Sequence, residues 1–309
     1  MSEARPIGPG HPAFAETGLL DRHGFAAASP QIAPGLLTRL TPRLRRLTAP
    51  NPGFMTGPGT NSYIIGGRDS AWDDDIAVID PGPANDDHFA ALLAIPGRVR
   101  LILVTHTHPD HSPAAALLKA ETGAALLGMA PPVGEHQDQT FRPDRILSDG
   151  DIVRIGDATL RVIHTPGHAS NHLCYLLEED RILFTGDHVM QGSTVVINPP
   201  DGDMAQYIAS LRKLSGAPID YFAPGHGFLI GQPFEMAELL IRHRFVRESK
   251  TLGVVKSAGP ATLEALTPIV YDDVPAFKHP WAARSLLAHL HKLEQDGAVI
   301  ERDAVWSAI

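Results

Sequence analysis

Apolar and polar positions follow two regimes along the chain. In the first, apolar runs alternate with helical segments. Residues 61–66 and 76–80 read as strands, and 86–93 as a short helix. Residues 101–104 form an apolar, β-branched run that reads as a buried strand. Residues 113–122 read as a helix capped by Ser112 and stopped by Gly123, followed by a strand candidate at 124–129. This alternation argues for layered α/β architecture. In the second regime short strands crowd together at 145–147, 151–155, 159–163, 173–177 and 181–185, with a hairpin turn at 178–180. An amphipathic helix at 204–214, a strand at 219–223 and a long helix from Phe234 to about Lys250 follow. The tail reads as helices at 262–266 and 281–295, then a hairpin at 297–306, which is the order of a winged-helix module. Residues 1–43 are rich in Pro, Gly and Ala and predict an irregular leader.

Composition narrows the picture. The chain has 309 residues, 43% hydrophobic and 20% charged, long enough for a large domain plus a small one. A single cysteine, Cys174, rules out an intrachain disulfide and reads as a small core residue. The net charge of −9 leaves no global basic field to gather nucleic acid. The first residues lack a charged segment followed by an apolar core, and no stretch has the length of a membrane span. The expectation is a cytoplasmic protein with no membrane partner.

The chemistry collects where strands stop. The run at 101–104 ends in His106, His108, Asp110 and His111, with His106 and His108 leaving on the same side. Three later strand ends repeat the form of an apolar run, a Gly-containing turn and a metal-type ligand: His168, Asp187 and His226. Imidazoles with carboxylates suit zinc or a similar divalent ion. His164 and His188 read as neighbours of ligands, not ligands themselves. Arg242, His243, Arg244, Arg247 and Lys250 cluster near the end of the long helix, as a solvated face complementing its C-terminus or as a seat for an anionic substrate.

This set of motifs resembles the hydrolase-type pattern of the metallo-β-lactamase superfamily. The resemblance implies an α+β fold, a four-layer αβ/βα sandwich with metals at one sheet edge. It implies His106, His108 and His168 on a first metal, Asp110, His111 and His226 on a second, and Asp187 bridging the two. The stretch 51–63, the run 186–194 and the tail are similar to a β-lactamase-like subgroup with a C-terminal winged helix, which includes an animal endoribonuclease. The expected division is a leader at 1–43, a catalytic domain at 44–250 and a winged-helix-like domain at 251–309.

Expected cofactors are two divalent ions, zinc first, with Mn2+ or Fe2+ also compatible with the shell. A metal-bound hydroxide would attack the substrate, with Asp110 as the catalytic residue that orients or deprotonates the water. Phosphodiester hydrolysis of an RNA-type, single-stranded substrate is placed first. Hydrolysis of a small-molecule thioester or other acyl substrate, in the glyoxalase-II manner, comes second. Aspartate rather than cysteine at the bridging position lowers β-lactam hydrolysis, and a non-catalytic metal-stabilised binding protein comes last. The tail's few basic residues, diluted by acidic ones, give no firm case for DNA binding; such modules also serve as lid or dimer elements, so a homodimer is a further expectation.

Overall fold

The computed structural model describes residues 32–67, 74–134 and 136–309. It divides into two compact units. The first comprises residues up to 165 together with 171–193 and 216–236, and the second comprises 166–170, 194–215 and 237–309.

The first unit holds two mixed sheets. Seven strands lie in sequence order: β1 (Thr38–Arg39), β2 (Leu44–Thr48), β3 (Asn61–Ile65), β4 (Asp75–Ile79), β5 (Arg98–Leu103), β6 (Ala125–Gly128) and β7 (Arg145–Ile146). The second sheet contains β8 (Ile152–Ile155), β9 (Ala158–His164), β10 (Leu173–Leu177), β11 (Ile182–Gly186) and β12 (Tyr221–Pro224), in the order β12-β11-β10-β9-β8. Helices α1 (Asp86–Leu93) and α2 (Pro113–Thr122) are the crossovers between parallel strands of the first sheet. Such parallel pairs need a crossover, whereas β8 to β11 pair antiparallel through short turns.

Alternation along each strand sorts side chains between two cores. Tyr63, Ile65, Ala77, Ile79 and Leu103 join Val162, Tyr175, Leu177 and Phe184 in the core between the sheets. Their neighbours Ile64, Ile76, Val78, Ile102 and Val104 pack with Leu92, Ala115 and Leu118 of the two helices. A strand buried on both faces reads as continuously apolar, which is why 101–104 carried no period-two signal.

The second unit contains α3 (Met204–Lys213), α4 (Pro233–Ala258) from Ala237 onward, α5 (Leu263–Val270), a 3-10 turn at Ala276–Lys278 and α6 (His279–Gln295). Strands β13 (Ala261–Thr262), β14 (Val299–Arg302) and β15 (Val305–Ala308) form a small sheet in the order β13-β15-β14. Trp306 is buried there with Leu266, Leu286, Leu290 and Val299. This is the helix, helix and hairpin order expected of the tail.

Several expectations need correction. Most of the leader, residues 1–31, lies outside the described residues. Within 38–39, however, β1 pairs with β2 and Leu40 is fully buried, so its end belongs to the sheet. β7 leaves the meander and pairs parallel with β6. Ser112 occupies the N-cap position of α2 without capping it, because its hydroxyl donates to Asp138 Oδ2 at 2.7 Å. α4 runs to Ala258, so the basic cluster is mid-helical and does not face a C-terminal dipole.

Candidate metal centre

β4, β5, β11 and β12 end near one another; His106, His108, Asp110, His111, Asp187 and His226 stand on the turns after β5, β11 and β12, and His168 follows β9. Asp110, His111, Asp187 and His226 each offer a ligand atom, all within 4.8 Å of one another. His226 Nε2 lies 3.2 Å from Asp110 Oδ2 and 3.3 Å from Asp187 Oδ1. His111 Nε2 lies 3.5 Å from Asp110 Oδ2 and 3.4 Å from Asp187 Oδ1. His106 and His108 form an adjoining pair, with Nε2 of the first 3.0 Å from Nδ1 of the second. The His106 and His111 rings are 4.3 Å apart between centroids.

A residue the sequence reading passed over organises this cluster. Asp80 follows β4 with φ at +49°, and its carboxylate is buried. It accepts from the Thr105 backbone N–H and hydroxyl, each at 2.7 Å, and from His111 Nδ1 at 2.9 Å. Thr105 Oγ1 in turn lies 3.0 Å from His106 Nδ1. With its Nδ1 proton held by Asp80, His111 turns its Nε2 toward the cluster. His226 has the same arrangement, its Nδ1 donating to the Gly59 carbonyl at 3.2 Å. Asn61 braces the His226 turn through Nδ2 bonds to the carbonyls of Pro224, at 3.0 Å, and Gly227, at 2.9 Å. The signal for Asp80 was an aspartate closing a buried apolar strand just before Pro81-Gly82.

Electrostatics tests whether these residues fit a metal. Burial disfavours charge on His111 and His226, yet the surrounding carboxylates reverse this. His111 is raised well above the ordinary histidine value, chiefly by Asp110, Asp187 and Asp80. His226 is raised to about 9, Asp187 first among the causes that raise it. Burial would raise Asp110 and Asp187 too, but the two histidines hold both carboxylates low. His106 is pushed far down by burial and by its His111, His108 and His172 neighbours, which keeps it neutral. Nε2 of His111 and of His226 are buried without a hydrogen-bond partner. Two carboxylates balanced by protons on two imidazoles whose Nε2 atoms face inward form a donor set in which a divalent cation can displace those Nε2 protons. The residues fit a metal ion.

His168 stands in the five-residue stretch 166–170 of the second unit, whose chain neighbours on both sides belong to the first. Its Nδ1 lies 2.8 Å from the Val196 carbonyl. His172, which the sequence reading did not single out, is buried 5.0 Å from the His106 ring, and its Nδ1 meets Thr165 Oγ1 at 2.9 Å. His188 is fully buried and His164 half-buried.

Residues 55–226 match the family model for the metallo-beta-lactamase superfamily. The chain belongs to the metallo-β-lactamase superfamily. Residues 262–306 match the β-lactamase-associated winged helix domain. An atrochrysone carboxyl ACP thioesterase from Aspergillus chevalieri is 32% identical over 253 residues, covering 77% of this chain and 76% of that protein. A β-lactamase-like protein 2 homolog from Caenorhabditis elegans is 28% identical over 268 residues, covering 85% and 88%. A β-lactamase domain protein from Burkholderia ambifaria shares the fold with a TM-score of 0.74 at 21% identity, covering 91% of this chain and 96% of that one. The architecture is therefore the metallo-β-lactamase sandwich with a C-terminal winged helix, and the chain is a hydrolase of that superfamily. Superfamily hydrolases act on small-molecule substrates and typically bind divalent metals. No helix among the described residues is long and apolar enough to cross a membrane.

Proposed function

We propose that this metallo-β-lactamase superfamily hydrolase cleaves an acyl thioester, using two divalent ions. Zinc is the first choice for a His/carboxylate shell, with Mn2+ and Fe2+ next. His106, His108 and His168 would hold one ion. Asp110, His111 and His226 would hold the other, and Asp187 would bridge. Residues 44–250 would form the catalytic domain and 251–309 the winged-helix-like domain. When bound, such ions lower the pKa of a water toward neutrality and polarise the oxygen of the scissile group.

The chain's own residues supply orientation and proton handling. The Asp110 side chain is 28% exposed against 11% for Asp187, so Asp110 is the carboxylate a solvent molecule can reach. It would orient the attacking water and accept its proton. Asp80 fixes His111, and Gly59 fixes His226, so neither ring has to reorganise as charge develops.

The observation that carries the thioester reading is the state of the basic cluster on α4. Arg247 forms a paired bridge to Asp273 through both guanidinium nitrogens at 2.8 Å. Lys250 pairs with Asp272, and Arg244 is buried with its Nη2 on the Val195 carbonyl. These three cations are paired within the second unit, which leaves Arg242 as the exposed arginine of the cluster and weakens the cluster as a polyanion seat for RNA. The relative named as an ACP thioesterase supports the same reading. Phosphodiester hydrolysis is the second reading, favoured by the winged-helix match and the endoribonuclease-subgroup resemblance. One panel on zinc-loaded protein decides between them: an acyl-carrier-protein thioester, a glutathione thioester, a model phosphodiester, single-stranded RNA and a chromogenic cephalosporin. Turnover confined to RNA and the phosphodiester would reverse the order. Asp187→Ala and His108→Ala are each expected to abolish turnover and lower bound metal. Unchanged metal content with near-normal activity in either variant would refute the site.

A further inference from the structure

The stretch that carries His168 is bonded to other segments of the second unit. Ser210 Oγ of α3 donates to the Pro166 carbonyl at 2.8 Å, and the Asp203 backbone N–H donates to the Gly167 carbonyl at 2.8 Å. Gly167 has φ +137°, and a Cβ there would meet the Tyr207 backbone at 2.3 Å, so only glycine lets the turn lie this close to α3. The Ser170 hydroxyl and backbone N–H both donate to Asp201.

The ring itself is set by a different segment. His168 Nδ1 lies 2.8 Å from the Val196 carbonyl. A carbonyl can only accept, so Nδ1 carries a proton and Nε2 is the nitrogen left to meet a metal. The Val196 carbonyl is fixed from both sides. Arg244 of α4 donates from Nη2 to the preceding carbonyl, Val195, at 2.6 Å. Ser285 Oγ of α6 accepts from the following backbone N–H, Ile197, at 3.4 Å. Arg244 is 2% exposed and its guanidinium lies 5.2 Å over the Tyr207 ring, so it is locked in place. Val195 and Ile197 are themselves buried.

We propose that Arg244 and Ser285 are positioning residues for His168, acting through the Val195–Ile197 backbone to fix its tautomer and aim its Nε2. The proposal rests on the reading of His168 as a metal ligand. It assigns Ser285, inside the stretch that matches the winged helix domain, a part in metal binding. It also gives a use to the buried arginine of a cluster that reads, from sequence, as a solvated face or a seat for an anionic substrate. Partners that orient a ligating histidine typically account for about 10–100-fold in metal affinity.

The test uses the full chain and Zn2+ titrated against a chromogenic chelator. His168→Ala identifies the zinc equivalent that depends on His168. Arg244→Met is expected to weaken that same equivalent by about 10–100-fold while leaving any other unchanged. Arg244→Lys should recover part of the loss, and Ser285→Ala should give a smaller loss in the same equivalent, its bond being longer. The histidine 15N spectrum of the zinc-loaded chain should show the signal lost in His168→Ala as an Nδ1–H tautomer, and this signal should broaden or shift in Arg244→Met. Should Arg244→Met fail to fold, as read by circular dichroism, Ser285→Ala and Arg244→Lys carry the test. Wild-type titrations in both, or an equal weakening of every equivalent, overturn the proposal. If His168→Ala itself binds zinc as wild type does, the ligand assignment fails instead, and the two failures are thereby distinguished.

Discussion

At the scale of single residues, the centre depends on groups that are not ligands. Asp80 takes three hydrogen bonds and reaches both His111 and, through Thr105, His106. Asp80→Asn keeps the shape but can accept at only one oxygen, so a donor must be left without its bond. It is expected to lower zinc affinity by about 10–100-fold, measured by chelator competition. Gly225 is a steric counterpart. A Cβ there would stand 2.7 Å from His111 Cε1 and 2.8 Å from Asp187 Oδ1, so Gly225→Ala should disturb both side chains and reduce bound zinc. His88 makes a separate prediction about pH. Its Nε2 meets Ser62 Oγ at 2.9 Å, and burial lowers its pKa to about 4, the Pro81 carbonyl opposing weakly. The folded state therefore binds fewer protons than the unfolded state between about pH 6.5 and 4. Stability from this group is complete above that window and is lost as pH falls through it, by an amount on the order of 3 kcal/mol. Denaturation midpoints of the wild type and His88→Gln across pH 4–7 check this, the variant losing much of the acid slope.

At the scale of elements, periodicity was legible wherever one face met water or a strand had clear ends. The short helix was read from 86 to 93 and is observed at Asp86–Leu93, because Asn85 caps it with a side-chain bond to the His88 N–H. Ends set by distant partners were not legible. β7 joined the first sheet by pairing with β6, and the hydroxyl of Ser112 left the helix for Asp138, both partners lying far along the chain. The long helix outran its reading by two turns, since no proline or glycine cap stands at Lys250 and its later residue Val255 is buried with α5 and α6. Leu118 of α2 is fully buried in the helix-facing core. Leu118→Ala should cost about 2–5 kcal/mol in denaturant unfolding, with the spread set by how far the site can collapse.

At the scale of the whole molecule, a metal held at this centre would link folding to function. Four candidate ligands, Asp110, His111, Asp187 and His226, come from three separate parts of the chain and meet only in the folded state. A metal that binds that state alone stabilises it by about 2.7 kcal/mol when free metal is at 100 times its dissociation constant. Chelation is therefore expected to lower the melting temperature, with recovery on adding Zn2+; an unchanged melting curve would separate metal from stability. The sequence by itself determined the residue types, their places at strand ends and the family they signal, because ligand chemistry and strand alternation are local properties. Only the tertiary structure decided that Asp80 orients His111, that Asn61 braces the His226 turn, and that Arg244 of the basic cluster is buried. Each of those depends on which distant group lies within hydrogen-bond reach, and no local pattern along the chain encodes that.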